Sequence, residues 1–354
     1  MAAIKPLQRQ QGFILAATLW VLAIMFIAVG IFHAYVQNKL QLATQAKANL
    51  QQQLDAYSTS QTVLYLLAGS RMTRSGLTFA LQDESAYITE DGLLITDPVG
   101  DEMLLDGTDY KGLGDSFFSI QDLSGLIAIN VPEPYDLVNM IEKVEPNPVT
   151  RAQLISRLQD YIDLNEQVRL SGAEKEDYLR AGLALPTNDY LRSESELYRV
   201  LGWQQWLESH PQFRWQEWLS ARRDSVMNLN VLPKSLLMGY LGLNEETANL
   251  LMQERVTNPF RTVEDFVART GLPMNLEEEK YRFFPSNEYR LRFWGRGGQA
   301  EVISLQLTPN GIFGPWQINY RYSVQRVNEN NELSPPAMAL EQTSLFGHAL
   351  GDNR

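Results

Sequence analysis

The spacing of hydrophobic positions divides this chain into successive stretches, and the first is the most apolar. Residues Phe13 to Phe32 form a run of twenty uncharged residues. At roughly 1.5 Å per residue, such a run is about long enough to cross the hydrocarbon core of a bilayer as a helix. The leader before it carries Lys5 and Arg9 and no acidic residue. This charge pattern predicts that the leader stays in the cytoplasm while the rest of the chain crosses the membrane.

The apolar run continues into a second helical pattern. No Pro or Gly occurs between Ile31 and Ala68. Steps of three and four residues predict one helical stripe on an amphipathic continuation, made of Leu40, Ala43, Lys47, Leu50, Leu54, Tyr57, Gln61, Leu64 and Ala68. We therefore predict one helix over residues 13–70. A cleaved secretory signal has a shorter apolar core followed by a small-x-small site, so the alternative for this N-terminus is a plain single-pass signal anchor.

The remaining periods predict an α+β fold. Short apolar runs among glycines over 71–131 indicate the first part of a sheet, with two strands around a turn at Ser124-Gly125. Residues 132–285 have helical spacing. The period returns to two in three runs within 286–327, which predict an antiparallel meander. The predicted architecture is a long N-terminal transmembrane and amphipathic helix packed on an antiparallel pilin-type sheet, with a large all-helical domain inserted between strands and a polar tail over 328–354.

Two features of the helical block have competing interpretations. Four tryptophans at helical spacing (Trp203, Trp206, Trp215 and Trp218) are predicted to be core rather than a ligand box. A helix, a Leu-Gly-Leu turn and a second helix over 233–255 have the outline of a helix-hairpin-helix unit. Such a unit either binds phosphate at a helix start or serves as a packing module. Glu245 and Glu246 stand where a phosphate would dock, so we favour packing.

Composition and charge exclude several classes of function. The chain has 354 residues and a net charge of −12. Fifteen of the acidic residues, against two lysines, lie between Asp83 and Pro148. A polyanion suits neither nucleic acid nor anionic lipid. The chain has no Cys and three His, which excludes disulfides, thiol nucleophiles and Cys-ligated zinc. No nucleophile elbow, zincin helix or phosphate loop is present, so we do not expect an enzyme.

The N-terminus resembles the type IV prepilin class, which includes the pseudopilins of type II secretion. The resemblance rests on the basic leader ending at Gly12, then Phe13, the apolar run and the amphipathic continuation. It implies that prepilin peptidase cuts between Gly12 and Phe13 and that the new amino group of Phe13 is methylated. Most members carry a Glu at the fifth mature position, where this chain has Ala17. A subunit without that Glu resembles the first subunit of a fibre, at its tip.

The order of later segments resembles one family within this class, the K-subunit minor pseudopilins (general secretion pathway protein K). The matching positions are Asp122, Gly125 and Asn130, then Asp160, Asp163, Gly172, Ala173, Glu174 and Tyr178, then Pro186, Asn188, Leu191, Glu196, Leu197, Val200 and Gly202, and finally Asn228 and Asn230. One departure is Ala128, where the family has Asn. The resemblance extends to about residue 325.

The resemblance implies a role, a location and partners. It implies a single-pass inner-membrane protein with most of its chain in the periplasm, located at the tip of the pseudopilus. It implies a complex with I- and J-type minor pseudopilins, contact with the major pseudopilin, and no nucleic acid. Two alternatives stay open. One is a minor pilin of a type IV pilus, serving adhesion or DNA uptake. The other is a membrane-anchored nucleic-acid binder that uses the hairpin helices.

The resemblance also implies bound calcium. Oxygen-rich clusters suit Ca²⁺, and the candidate ligands are Asp160, Asp163, Asn165, Glu166, Glu174, Glu176 and Asp177. Their spacing does not show that they converge, and Asn165 stands where the family often has Asp. A solvated acidic loop is the alternative interpretation of this stretch.

Overall fold

The computed structural model describes residues 12–78, 87–88, 92, 94–100, 102–274, 278–295 and 299–325. The predicted leader up to residue 11 and the tail 328–354 lie outside these residues. The chain divides into two compact units, one up to Leu54 and one from Asp55 onward.

A single long helix, α1, runs from Gly12 to Gly69 over 58 residues. The first unit consists of the part of α1 up to Leu54. Its described side chains are exposed, except for the half-buried Gln52. The absence of Pro and Gly through its second half accounts for the uninterrupted helix, because neither backbone breaker is present. The predicted long N-terminal helix is therefore confirmed.

The end of α1 belongs to the second unit, and there the predicted stripe is wrong. Within residues 55–69 the buried side chains are Thr59, Ser60, Val63, Leu64, Leu66 and Leu67. Of the predicted stripe only Leu64 is buried, whereas Leu50, Leu54 and Tyr57 are exposed. The inner face includes Thr59 because its hydroxyl finds partners there. It lies 2.6 Å from the Ser116 hydroxyl and accepts a bond from the Leu113 N–H.

Fourteen strands lie within the described residues. They are β1 (Arg71–Thr73), β2 (Gly76–Thr78), β3 (Tyr87–Ile88), β4 (Leu94–Thr96), β5 (Met103–Leu104), β6 (Asp106–Lys111), β7 (Ser116–Asp122), β8 (Ile127–Ala128), β9 (Leu219–Ser220), β10 (Met227–Asn228), β11 (Tyr281–Arg282), β12 (Glu288–Gly295), β13 (Gln299–Leu307) and β14 (Trp316–Gln325).

The main sheet has the order β14-β13-β12-β7-β6, with every described pair antiparallel. The strands β12, β13 and β14 form the predicted meander. Strand β12 also pairs with β7, from Tyr289 opposite Asp122 to Gly295 opposite Ser116. The small strands β1 to β5 form a second sheet in the order β3-β4-β1-β2-β5. The α+β class with an antiparallel sheet is thereby confirmed.

The helices of the second half lie between β7 and β12, two strands that pair with each other. They are α2 (Tyr135–Glu142), α3 (Pro148–Ile162), α4 (Lys175–Ala181), α5 (Trp203–Ser209), α6 (Trp215–Trp218), α7 (Lys234–Gly239), α8 (Glu245–Thr257) and α9 (Val263–Thr270). The chain therefore leaves the sheet at Asp122, forms a helical domain, and returns to the same sheet at Glu288.

Each layer has its own hydrophobic core. The four tryptophans predicted as core residues are all buried within the helical domain. The second core joins the end of α1 to the sheet, with alternate β12 residues Tyr289, Leu291 and Phe293 facing it. The period of two places the intervening Arg290 on the opposite face, where it donates to backbone carbonyls of the helical domain. The sheet is thus packed on both faces.

Two local predictions differ from the structure. The chain after β7 does not turn back as a second strand of a hairpin. Instead it forms a 3-10 turn, Leu123–Gly125, and then β8, which pairs in parallel with β9 of the helical domain. The buried Asp122 carboxylate fixes this turn by accepting bonds from the Ser124 N–H and hydroxyl. Within the stretch 132–285 that was predicted to be helical, Glu194–Arg199 is a 3-10 helix.

Candidate functional site

The predicted processing site lies at the start of α1. Gly12 and Phe13 are its first two residues, and Ala17 lies on the exposed surface of the helix. By length and composition, α1 is the one described helix apolar enough to cross a membrane. Ala17 brings no carboxylate into this apolar surface, whereas a Glu there would place a charge in it. Cleavage after Gly12 and methylation of Phe13 stay predictions.

The carboxylates predicted as calcium ligands are centred on Asp160, at the end of α3. Asp160 is fully buried, and its carboxylate accepts bonds from the Ala173 N–H at 2.9 Å and the Arg169 guanidinium at 2.8 Å. The same guanidinium nitrogen contacts the Asp163 carboxylate. Arg169 therefore holds together two of the predicted ligands and neutralises part of their charge.

Glycine at position 172 makes this arrangement possible. A Cβ added to Gly172 would lie 1.9 Å from the Asp160 Oδ2 atom. The Gly172 N–H bonds to the Arg169 carbonyl at 2.9 Å, which closes a tight turn above the carboxylate. The Gly-Ala-Glu sequence thus positions the Asp160 carboxylate, because Gly172 leaves room for it and the Ala173 N–H donates to it.

Glu174 is the carboxylate of this cluster to which Arg169 does not bond. The residue is 4% exposed, and among the described residues its carboxylate has no side-chain donor and faces only the backbone N–H of Asp177, in the capping box that begins α4. Burial, and then the like charges of Asp160, Asp163 and Glu166, raise the pKa of Glu174 to about 7. A buried carboxylate without a charged donor is costly when ionised, so this position favours a proton or an added cation.

The other predicted ligands are directed elsewhere. Asn165 accepts a bond from the Gln167 N–H. Asp177 accepts from the Glu174 N–H and pairs with Arg180 at 3.4 Å, while Glu166 and Glu176 are exposed. Among the described residues no group of three or more His, Cys, Asp or Glu side chains is arranged to hold a metal ion. The chemistry of Asp160, Asp163 and Glu174 nevertheless fits a hard cation, and the calcium site stays a prediction.

The hairpin between α7 and α8 has the predicted outline. The Asn244 side chain accepts a bond from the Thr247 N–H at the start of α8, where Glu245 and Glu246 occupy the first turn. Lys234, at the start of α7, pairs with Glu245 at 2.8 Å. The base nearest the hairpin is thus already paired with a carboxylate, and the first turn of α8 carries negative charge. This arrangement disfavours phosphate at the helix start.

Several positions that carry the family resemblance join the layers of the fold. Asp122 accepts from the Ser286 N–H at 2.7 Å, which ties the exit from the sheet to the return. The Asn130 amide exchanges bonds with the backbone of Leu191, and Asn230 does so with that of Phe260. Each side-chain amide both donates and accepts, and therefore makes with the backbone of the facing loop the pair of hydrogen bonds that a neighbouring strand would make.

One buried network, centred on Glu194, was not predicted from the sequence. Glu194 is fully buried and accepts bonds from the hydroxyls of Tyr320 at 2.6 Å and Tyr322 at 2.8 Å, while Arg290 lies 3.2 Å away. It links the helical domain to β12 and β14. The available signal was a polar position within a strand, namely Arg290 between Tyr289 and Leu291. Its partner Glu194 lies 96 residues earlier, and the local spacing of hydrophobic residues gives no sign of it.

Comparisons with known proteins show a likeness to a solved structure. No family model matches the chain, and no curated protein does so. Among solved structures, the chain is similar to a chain of the crystal structure of the GspK-GspI-GspJ complex from the type 2 secretion system of enterotoxigenic Escherichia coli, with 16% identity and a TM-score of 0.50. The likeness covers 80% of this chain and 99% of that chain. At this identity it concerns the fold, and the chain has the fold of a GspK-like minor pseudopilin.

Proposed function

We propose that this chain is a minor pseudopilin of a type II secretion system. The observation that carries the proposal is the shared fold, which extends over 99% of the chain in the GspK-GspI-GspJ complex. The apolar first part of α1 supports the proposal, because it supplies the membrane anchor that such a subunit needs. In this proposal α1 crosses the inner membrane and the sheet and helical domain lie in the periplasm.

We place the subunit at the tip of the pseudopilus, in a complex with I- and J-type minor pseudopilins above the major pseudopilin. Ala17 supports this placement. In the prepilin class the Glu at that position is thought to neutralise the terminal amine of a neighbouring subunit already in the fibre, and Ala17 offers no carboxylate for this. The helical domain between β7 and β12 is a bulky addition to the sheet. It favours a capping position over one inside the shaft.

The role in this proposal is structural rather than catalytic. Apart from Glu174, the buried polar groups described above bond to backbone or to one another across layers of the fold, which accounts for their burial without a substrate. The chain also carries a net charge of −12, and we infer that it does not bind nucleic acid. A Ca²⁺ ion held by Asp160, Asp163 and Glu174 would add positive charge to this cluster, in which Arg169 already pairs with Asp160 and Asp163.

The first test is the intact mass of the full-length protein, expressed with and without an active prepilin peptidase. We expect the peptidase to yield a mature form that begins at methylated Phe13, and Gly12→Ala to block its formation. The matched control is Gly30→Ala, since a Cβ at Gly30 meets nothing within 4 Å. If the wild-type chain retains residues 1–12 in the presence of active peptidase, the N-terminus is a plain signal anchor.

The second test concerns the partners. Full-length chain in a mild neutral detergent is mixed with I- and J-type minor pseudopilins at micromolar concentration and analysed by size exclusion with mass detection. We expect one complex that contains all three chains. If the three stay apart although each is folded, the tip placement loses its support, even where peptidase processing succeeds.

A further inference from the structure

Strand β14 forms one edge of the main sheet, and its outer side is open among the described residues. Its inner side pairs with β13, from Trp316 opposite Leu307 to Gln325 opposite Gln299, whereas no described strand pairs with its outer side. At ten residues β14 is also the longest described strand. An open edge of this length is a template for a strand of another chain.

The hydrogen-bond pattern identifies which backbone groups of β14 point outward. The Leu307 N–H donates to the carbonyl of Asn287, which precedes β12, whereas the Thr308 N–H donates to the Pro315 carbonyl across the turn. Residues along an antiparallel strand alternate in this respect. The N–H and C=O groups of β14 that point away from β13 therefore belong to the residues opposite those that bond towards β12. These residues are Trp316, Ile318, Arg321 and Ser323.

The edge at β14 lacks most of the features that prevent edge strands from pairing. Natural edges are blocked by Lys, Pro, bulges or short length. Strand β6, at the opposite edge of the sheet, has only six residues, of which three are charged, and its register is irregular. Strand β14 has neither Lys nor Pro, and its one charged residue, Arg321, pairs with Glu301 of the same sheet at 3.3 Å. Its one irregularity is Asn319, which has no partner residue in β13.

The edge strand is held in one conformation by the helical domain. On one face of β14, the Tyr320 and Tyr322 hydroxyls donate to the fully buried Glu194 carboxylate at 2.6 Å and 2.8 Å. On the other face, towards the core that contains the end of α1, Ile318 and Arg321 are exposed. A strand that is ordered before binding loses less conformational entropy on binding. The edge is therefore both ordered and accessible.

The composition of this edge indicates the side chains of its partner. No charged residue occurs from Val302 to Tyr320, and Glu301 compensates the charge of Arg321. The hairpin therefore calls for no charge on the partner. Trp316 and Ile318 lie on the face towards α1. Since directly opposite residues of two strands lie on the same face, β-branched aliphatic side chains fit opposite these two.

We propose that the outer side of β14 binds an uncharged extended segment of another protein, which adds an antiparallel strand to the main sheet. The outward backbone groups of β14 make the hydrogen bonds, and β-branched side chains of the added strand cover Ile318. The tail that follows β14 is a poorer occupant, because Pro335 and Pro336 lack the N–H that a return strand needs. This inference does not rest on the proposed function, so the leader-processing experiment can fail without affecting it.

The test uses the full-length chain in nanodiscs of zwitterionic lipid, with empty nanodiscs as the blank. The probe is a fluorescent peptide of alternating Val and Thr, and two matched forms carry N-methyl groups on all Val amides or on all Thr amides. Val fits the face of Ile318, and a residue opposite Ile318 exchanges hydrogen bonds with it, so the Val amides should face β14. We expect the parent peptide and the Thr-methylated form to bind and the Val-methylated form not to bind. Binding should be insensitive to salt, because the edge and the probe are uncharged.

Position 323 supplies a matched pair of variants. Ser323→Pro removes an N–H that points away from β13, whereas Ser323→Ala keeps it. We expect Ser323→Pro to weaken binding about tenfold, the loss expected for about one hydrogen bond, and Ser323→Ala to leave binding unchanged. On binding, amide hydrogen exchange should slow at Ile318, Arg321 and Ser323 more than at Tyr322, whose N–H already faces β13. If Ser323→Pro fails to fold, the two methylated peptides still decide.

Three results would overturn the proposal. The first is no binding of the parent peptide to the folded chain. The second is equal binding, or an equal loss of binding, for the two methylated peptides, because the contact would then not depend on the amides that face β14. The third is concentration-dependent self-association that Ser323→Pro abolishes, which would assign the edge to a second copy of this chain.

Discussion

Replacing Glu174 by Gln should change how the stability of this protein depends on pH. Burial and three neighbouring carboxylates raise the pKa of Glu174 from 4.5 to about 7 in the folded chain. The folded state therefore holds the proton more tightly than the unfolded state. The resulting stabilisation is fully present below pH 4.5, the unfolded value, and is lost as the pH rises through about 7.

The size of the effect follows from the same two values. A rise in pKa from 4.5 to about 7, at about 1.36 kcal/mol per pKa unit, corresponds to roughly 3 kcal/mol between the two pH limits. Gln has nearly the shape of Glu and stays neutral. The unfolding free energy of Glu174→Gln should match that of the wild type near pH 4. It should exceed it by up to roughly 3 kcal/mol at pH 8.

Urea unfolding of the full-length chain in neutral detergent, followed by tryptophan fluorescence with a chelator present, measures this difference. Trp203, Trp206, Trp215 and Trp218 report on the helical domain that contains Glu174. The matched control is Glu176→Gln, which removes the same charge two residues away from an exposed position of α4. The raised pKa of Glu174 is refuted if the unfolding free energies of the wild type and Glu174→Gln change in parallel from pH 4 to 8. It is also refuted if Glu176→Gln has the same effect.

Three further predictions concern the same domain and its join to the sheet. Gly172→Ala places a Cβ 1.9 Å from the Asp160 carboxylate and should cost about 1–3 kcal/mol of unfolding free energy. The control, Gly182→Ala, has open space around its Cβ but a positive φ, and it should cost less. Glu194→Gln removes the negative charge beside buried Arg290 and should cost about 3–5 kcal/mol, measured against the exposed Glu246→Gln. Added Ca²⁺ should raise the wild-type unfolding midpoint at pH 8 and be reversed by chelator, and an equal rise in Glu174→Gln would exclude Glu174 from the calcium site.

The sequence predicted the regular elements of this fold where one period dominates. The long helix follows from a run without Pro or Gly, and the meander β12–β14 follows from three alternating runs separated by Gly and Pro. Both signals are local, so they predict these elements without knowledge of the elements that pack against them. The α1 stripe failed for the opposite reason. The sheet selects the face of α1 that it covers, and Thr59 is on that face because Ser116 bonds to it.

The carboxylate cluster shows a second limit of sequence reasoning. The family resemblance grouped seven oxygen-bearing residues as candidate ligands, but the structure separates them according to whether a donor lies nearby. Asp160 finds the Ala173 N–H and Arg169, whereas Glu174 finds no side-chain donor among the described residues. Which carboxylate is left without a partner depends on the turn at Gly172 and on the direction of one Arg side chain. Neither is encoded in periodicity.

The positions that carry the family resemblance and the positions that should carry specificity are different sets. Asp122, Asn130 and Asn230 are buried and bond to backbone across the joins of the helical domain. A chain can therefore keep these residues in order for the sake of the fold alone, whichever partner it meets. Specificity must then come from exposed side chains, and Ala17 is such a position. If so, substitutions at Asp122, Asn130 and Asn230 should lower the unfolding free energy whichever partner the chain binds.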